Sequence, residues 1–215
     1  MLMSTLWDYK MDELIKIWDG AWKKTSEEHP EFSNETYSIR TAGRKGAEEE
    51  EEWWYSNGLE MLKGWVNFRL NSGWKIWQSE NVRGIELEII IRPNGIETKM
   101  VIDRIMETPR GSLAVVDLKT GKYKPSTSLQ LGFYKVGAKL AYDIDVNEGY
   151  YWMARRGEMS DPIDLSFYTE DKVARLITMF DQARRSGIFI PNLNSCNMCG
   201  YTQECEWYPR KESND

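Results

Sequence analysis

The sequence lacks any run of about 18 consecutive apolar residues, the length that a membrane-crossing helix would need. Its first ten residues contain no apolar stretch of the kind found in secretory leaders. These absences point to a cytoplasmic protein with no membrane partner, in the host cytoplasm if the chain is phage-encoded. Cysteine is scarce and falls late, at Cys196, Cys199 and Cys205. An odd number of cysteines in a chain that is neither short nor secreted argues against a disulfide framework. Positive charge is not in excess either. With a formal net charge of -6, total charge cannot argue for a nucleic-acid partner, and local clustering has to carry that case. No internal repeat or low-complexity tract stands out.

What is present describes a globule. The chain has 215 residues, 41% apolar and 29% charged, enough to bury a core without cross-links. Acid is concentrated at residues 48–52. Arg104, Arg110, Lys119, Lys122 and Lys124 crowd one region, with Arg155 and Arg156 further on. A charge run is usually solvated surface. The ten tryptophans are read as core or edge packing, and none is assigned to base stacking.

Periodicity gives the elements. Leu14, Ile15, Trp18 and Trp22 form a helical stripe over residues 11–22, and the polar residues 23–36 read as a loop. The acidic run opens a helix reaching about Asn57, and a further helical pattern covers 59–70. "GWKIWQSE" suggests a strand. "IELEIIIRPNGIETKMVIDRIME" reads as two strands joined at Asn94-Gly95, a tight-turn pair, and Leu113–Lys119 as another. Residues 126–142 read as a helix with Leu129, Phe133, Val136 and Leu140 as its buried stripe, and Gln130 and Tyr134 on an adjoining face. "EGYYWMAR" is the next strand. Glu170–Arg185 is a helix with Val173, Leu176, Ile177 and Phe180 inward, stopped at Gly187.

The stretch "VVDLKTG" sets an acid two places before a lysine at the end of an apolar strand. Side chains alternate along a strand, so Leu113, Val115, Asp117 and Lys119 share one face. On the preceding strand Asp103 interrupts "MVIDRI", and an ionised carboxylate buried there without a partner would be costly. Two readings stand side by side. In one, Asp103 or Asp117 makes a structural ion pair with Lys119 or Arg104. In the other, the two acids converge on Mg2+ or Mn2+ with the Leu118 carbonyl, an oxygen-ligand set that suits a hard divalent ion. Such an ion activates water and offsets charge on phosphorus, and Lys119 would position that water or stabilise the transition state. Glu86 and Glu88, on the neighbouring strand, and Glu50, on the acidic helix, are candidates for a further ligand.

Asp103, then Asp117-Leu118-Lys119, then Gln130 and Tyr134, resemble the PD-(D/E)XK nuclease superfamily. The closest likeness is to its RecB/Cas4-like exonuclease branch, in which an acid before "R[IV]", a "D-x-K-T-G" strand end and a "Q-L-x-x-Y" helix occur in that order. The resemblance implies an α/β, restriction-endonuclease-like core, with a central mixed sheet flanked by helices and a small cysteine-bearing C-terminal unit. It implies one nuclease domain over 1–215, with a helical part at 1–80, the catalytic core at 81–190 and the cysteine-rich tail at 191–215. Asp103 and Asp117 would be metal ligands and Lys119 the catalytic lysine, with Gln130 and Tyr134 supporting the site and touching DNA. The sequence departs from the pattern twice. Met100 stands where relatives usually have glycine, and the first core helix offers Glu50 and its neighbours where they often have histidine.

In Cas4-like relatives, three C-terminal cysteines and one near the N-terminus hold a 4Fe-4S cluster, and Cys196, Cys199 and Cys205 are similar to that tail. No fourth cysteine exists. His29, the only histidine, lies in a polar stretch where such a residue is usually just exposed, and it is the remaining candidate ligand. An iron-sulfur cluster is the favoured reading, with zinc, a degenerate site and free cysteines left open. The expected function is a metal-dependent DNA exonuclease acting on ends or single strands in recombination, repair or phage replication. Its phosphate contacts are expected from the Arg104 to Lys124 group. An endonuclease on the same scaffold, or a non-catalytic DNA-binding component of a recombination complex, are the alternatives. A recombination or replication protein partner and a homo-oligomer are compatible with each.

Overall fold

The computed structural model describes residues 8–29, 47–188, 191–192, 196, 199 and 203–208, with only the backbone at 47–51. Two N-terminal helices lead into a sheet. Helix α1 (Met11–Glu28) begins where the Glu13 carboxylate accepts the Lys10 N–H at 2.8 Å. It continues through residues 23–28, expected to be loop, where exposed Lys23–Glu27 and Lys24–Glu28 pairs at 3.9 and 3.7 Å sit one turn apart. Helix α2 (Ala47–Asn71) is unbroken where two helices were expected. The interruption read at Gly58 is a packing contact instead. A Cβ there would lie 2.2 Å from the Trp18 ring, so α1 can rest on α2 only because that position is glycine.

The strands follow in the order β1 (Lys75–Ile76), β2 (Gln78–Ser79), β3 (Val82–Arg83), β4 (Ile85–Ile91), β5 (Thr98–Glu107) and β6 (Leu113–Lys119). Helix α3 (Leu129–Tyr142) then leads to β7 (Glu148–Met153), β8 (Glu158–Met159), β9 (Ile163–Asp164) and helix α4 (Glu170–Arg185). The expected single strand at "GWKIWQSE" is two short pieces, β1 in the main sheet and β2 in a separate ribbon with β3. In the seven-stranded mixed sheet, β5 pairs antiparallel with β1 and β4 on one side and with β6 on the other. Strand β6 runs parallel to β7 through the α3 crossover, and β8 and β9 pair antiparallel with β7. The β4–β5 hairpin turns at Pro93–Gly95, with Asn94 at φ 51° and Gly95 at φ 77°, the left-handed conformations that asparagine and glycine tolerate. Among the described residues, no helix is long and apolar enough to cross a membrane.

Alternation along β6 divides the core into two layers. Val115 faces α3 with Ile105, Leu131, Tyr134, Tyr151 and Met153. Ala114 and Val116 face α2, packed with Met61, Trp65 and Trp152, and Trp65 meets Trp152 edge-on at 5.1 Å. Helix α3 lies between the sheet and α4, so it buries more than one stripe. Leu131, Tyr134 and Ala138 face the sheet, while Val136 meets Val173 and Ile177 of α4. For that reason Leu140, expected inside, is 45% exposed. Phe180 is likewise exposed, because α4 contacts α3 through the narrow Val173–Ile177 face.

One irregularity prepares the site. Ile85 packs in the α2 layer but Leu87, two residues on, packs in the α3 layer, and Glu86 between them has φ 46°. The same change of face occurs on β5, where Ile102 lies in the α3 layer and Arg104 lies over Trp65 in the other. Positive φ in a non-glycine strand residue is strained backbone. Here it coincides with the level of Asp103, and it breaks the alternation from which Glu86 and Glu88 were placed.

Candidate active site

The β5–β6 ladder ends at the Arg104–Val116 pair, and the next residues on each strand are Asp103 and Asp117. Beyond that point the Asp103 carboxylate does the work of a ladder bond, Oδ2 accepting the Leu118 N–H at 2.9 Å. From α3, the Tyr134 hydroxyl donates to Asp103 Oδ1 at 3.0 Å and accepts from Gln130 Nε2 at 2.8 Å. Gln130 Oε1 in turn accepts from Lys119 Nζ at 3.0 Å. Lys119 Nζ also lies 2.7 Å from Asp117 Oδ2. Gln130 and Tyr134 are one turn apart on the helix, so a single rigid element reaches both the lysine and the first acid. Behind Asp117, β7 supplies Tyr151, in register with it, whose hydroxyl donates to the Thr127 carbonyl at 2.8 Å and ties the β6–α3 loop to the sheet.

Asp117 is 1% exposed. Burial pushes its carboxyl up to about 6; the Lys119 ammonium pulls it down, and the neighbouring Asp103 pushes it up again. Its Oδ2 is buried and, although Lys119 is close, the approach is not aligned as a hydrogen bond. Burial and the two acids push the Tyr134 phenol upward, so it remains protonated and serves as a donor. Two carboxylates thus meet where β5 and β6 part, with the Lys119 ammonium beside Asp117 and one buried Asp117 oxygen left without an aligned hydrogen bond.

Among the described side chains, the remaining sequence candidates have other neighbours. Glu86 is half-buried, its Oε1 3.9 Å from Arg104 Nη1. Glu88 is exposed and pairs with Lys99 at 2.8 Å. The Glu50 side chain lies outside the described residues. Among the described residues, no group of three or more His, Cys, Asp or Glu side chains is gathered to hold a metal ion. Cys196 and Cys205 are half-buried and Cys199 is exposed, with the Cys199 N–H on the Cys196 carbonyl at 3.2 Å. His29 is exposed at the end of α1, its N–H on the Thr25 carbonyl at 2.9 Å.

The basic run is not a cluster in space. Arg104 is fully buried, holds the Asp103 carbonyl at 2.6 Å and sits 5.8 Å from the centre of the Trp65 ring, so it braces the strand and reaches no phosphate. Burial lowers its guanidinium to about 10, still charged at neutral pH. Arg110 precedes β6, where it pairs with Glu148 at 2.8 Å, while Lys122 and Lys124 follow the strand's other end. Seven residues of strand span roughly 20 Å, which separates the two groups. The buried role of Arg104 was missed on the sequence, although its place between Ile102 and Ile105 was the available signal.

Residues 5–206 of the chain match the PD-(D/E)XK nuclease superfamily. No curated protein matches it.

Proposed function

Since the chain belongs to the PD-(D/E)XK nuclease superfamily, we propose that it is a metal-dependent deoxyribonuclease, an exonuclease acting on DNA ends or single strands in recombination, repair or phage replication. The observation that carries this reading is the meeting of Asp103, Asp117 and Lys119 where β5 and β6 part, supported from one helix by Gln130 and Tyr134. The donor set fits a hard divalent cation. Asp117 Oδ2 is a buried oxygen without an aligned hydrogen bond, and Asp103, whose oxygens accept from Leu118 and Tyr134, retains free lone pairs on both. Mg2+ or Mn2+ would be held by Asp103, Asp117 and the Leu118 carbonyl, the other positions going to water and phosphate oxygen. When bound, such an ion acidifies water and offsets the charge that builds on phosphorus.

The chain's own residues do the rest. Lys119 presents an ammonium beside the acids, where it orients the attacking water and stabilises negative charge developing on the phosphate oxygens. Gln130 fixes that ammonium by accepting one of its protons, leaving others for substrate. Tyr134 donates to Asp103 and so sets the direction of the carboxylate's free lone pairs. Tyr134 and Gln130 are therefore positioning residues. Contacts with DNA fall to the exposed lysines beyond β6, Lys122 and Lys124, which implies little sequence preference and strong salt dependence.

The same reading places the chain in the RecB/Cas4-like branch, as one nuclease domain with a cysteine-rich tail. A cluster or zinc ion at Cys196, Cys199 and Cys205 belongs to that branch. The three thiols are not gathered into a metal-holding group among the described residues. Iron, sulfide and zinc analysis of anaerobically purified protein tests this part separately, and colourless, metal-free protein removes it.

The deciding experiment is digestion of linear single-stranded, linear duplex and circular single-stranded DNA with Mg2+ or Mn2+, comparing the parent with Asp117→Asn and Lys119→Ala. Cleavage of linear DNA by the parent and its loss in both variants is expected. Cutting of the closed circle would make the enzyme an endonuclease. A parent inactive on all three would leave a DNA-binding component.

A further inference from the structure

A second polar site opens on the other face of the sheet, between α2 and the turn from β7 to β8. It is a hollow of about 380 Å³ lined by Asn57, Lys63, Gly64 and Asn67 of α2 and by Arg155 and Arg156 of the turn, among others. Two glycines bring the walls together. A Cβ on Gly64 would lie 3.2 Å from Gly157 Cα, and Gly157 has φ 62°, a conformation that favours glycine.

Two donors in this hollow lack acceptors. Arg155 Nε and Asn57 Nδ2 are buried atoms with no hydrogen-bond partner among the described residues. The Arg155 guanidinium lies 4.9 Å from the Trp54 ring centre and 5.2 Å from that of Trp53, two indoles set edge-on to each other, and no carboxylate engages it among the described residues. Glu60, the acid lining the hollow, is already paired with Lys63 at 2.5 Å. Buried donors without acceptors are rare because each forfeits its hydration, and they mark places where a missing partner belongs. A guanidinium bordered by aromatic rings, with its Nε–H left over, suits a tetrahedral oxyanion.

The position supplies the identity of that anion. Ala154, at the hollow's floor, donates its N–H to the carbonyl of Lys119 at 2.9 Å, so the site lies one residue from the strand end that carries the proposed catalytic lysine. Arg156 also lines a second hollow of about 530 Å³, with Lys122, Tyr123 and Lys124 off the end of β6. Lys122, Lys124 and Arg156 therefore line the way from the acid pair's strand end to Arg155, with Arg156 paired to Glu158 at 3.1 Å and Asp161 in the same hollow. We propose that Arg155 and Asn57 form a phosphate-binding pocket that grips one phosphate group of the nucleic-acid strand while another part of that strand lies at Asp117. This rests on the nuclease reading for the identity of the ligand. The group is either a terminal phosphate or an internal diester, both presenting the same oxygens.

Anisotropy of labelled short single strands, in EDTA so that no cleavage occurs, tests it. The strands end in 5′-phosphate, 3′-phosphate or hydroxyl, and the proteins are the full-length parent, Arg155→Gln and Asn57→Asp. The second variant keeps its size while setting a carboxylate against the anion, which guards against a folding defect in the first. If the pocket takes a terminal phosphate, one phosphorylated strand binds the parent about tenfold tighter than the hydroxyl strand, and both variants lose that margin. If it takes a diester, all three strands bind alike and each weakens about tenfold in both variants. Variants that bind every strand as the parent does overturn the pocket. The two readings fail separately: protein that grips phosphate but never cleaves defeats the nuclease assignment, and protein that cleaves while the variants bind like the parent defeats the pocket.

Discussion

Asp103 and Leu118 are joined where β5 and β6 part, the aspartate Oδ2 accepting the Leu118 N–H at 2.9 Å. The carboxylate is thus both a structural acceptor and, on the proposed mechanism, a metal ligand. These roles separate by substitution. Asp103→Asn keeps one carbonyl oxygen and should unfold close to the parent temperature while losing cleavage. Asp103→Ala leaves the Leu118 N–H and the Tyr134 hydroxyl without this acceptor and should cost a further 1–3 kcal/mol, roughly, in denaturant titration. Parental cleavage by the asparagine variant would sink the ligand assignment.

Tyr134 acts through Asp103, so its removal should damage turnover more than substrate binding. In Tyr134→Phe the ring still packs under the sheet, but the donor to Asp103 and the acceptor for Gln130 are gone. We expect kcat to fall on the order of tenfold with KM little changed, and stability to drop by about 1 kcal/mol. Steady-state kinetics on a linear substrate checks the split, and an unchanged kcat refutes the positioning role.

Lys119 is partly exposed and its stem contributes little to the core, so Lys119→Ala should fold normally. Its cleavage rate should fall by roughly two to three orders of magnitude, the usual cost of losing a charge placed at a transition state. Circular dichroism with single-turnover cleavage tests both halves.

Asp117 gives a pH signature without substrate. Its carboxyl, pushed up to about 6 by burial, holds a proton in the folded protein over a range where the unfolded chain has released it. The folded state then binds more protons, so stability falls as pH rises. This contribution is intact below about pH 4 and lost by the time pH passes about 6, on the order of 2–3 kcal/mol. Asp117→Asn has no such proton to lose. In EDTA the variant should therefore match or trail the parent at pH 4 and exceed it at pH 7. A gap that does not change with pH contradicts the burial argument.

Gly84 tests the packing that precedes the site. Its N–H bonds the Trp77 carbonyl at 2.8 Å and its carbonyl accepts the Ile105 N–H at 3.0 Å. A Cβ would lie 2.4 Å from the Ile105 carbonyl oxygen, a backbone atom that cannot swing aside. Gly84→Ala should destabilise by about 1–3 kcal/mol, as overpacking does. Wild-type stability in thermal melts would show that β4 and β5 can separate there.

Local pattern alone carried much of this protein. The alternation of Leu113–Lys119 put Val115, Asp117 and Lys119 on one face, and the i, i+4 spacing of Gln130 and Tyr134 put them on another common face, because strand and helix periods follow from backbone geometry. The asparagine-glycine turn was legible for the same reason. Three-dimensional packing decided the rest. Gly58 reads as a break until Trp18 lies across it, and Glu86 reads as facing Asp103 until a positive φ reverses the strand's faces. Arg104 reads as surface charge until Trp65 covers it, and Arg155 has no apparent relation to Asn57 until two glycines bring helix and turn together. Each outcome depends on contacts between residues distant in sequence, and no local period encodes such contacts.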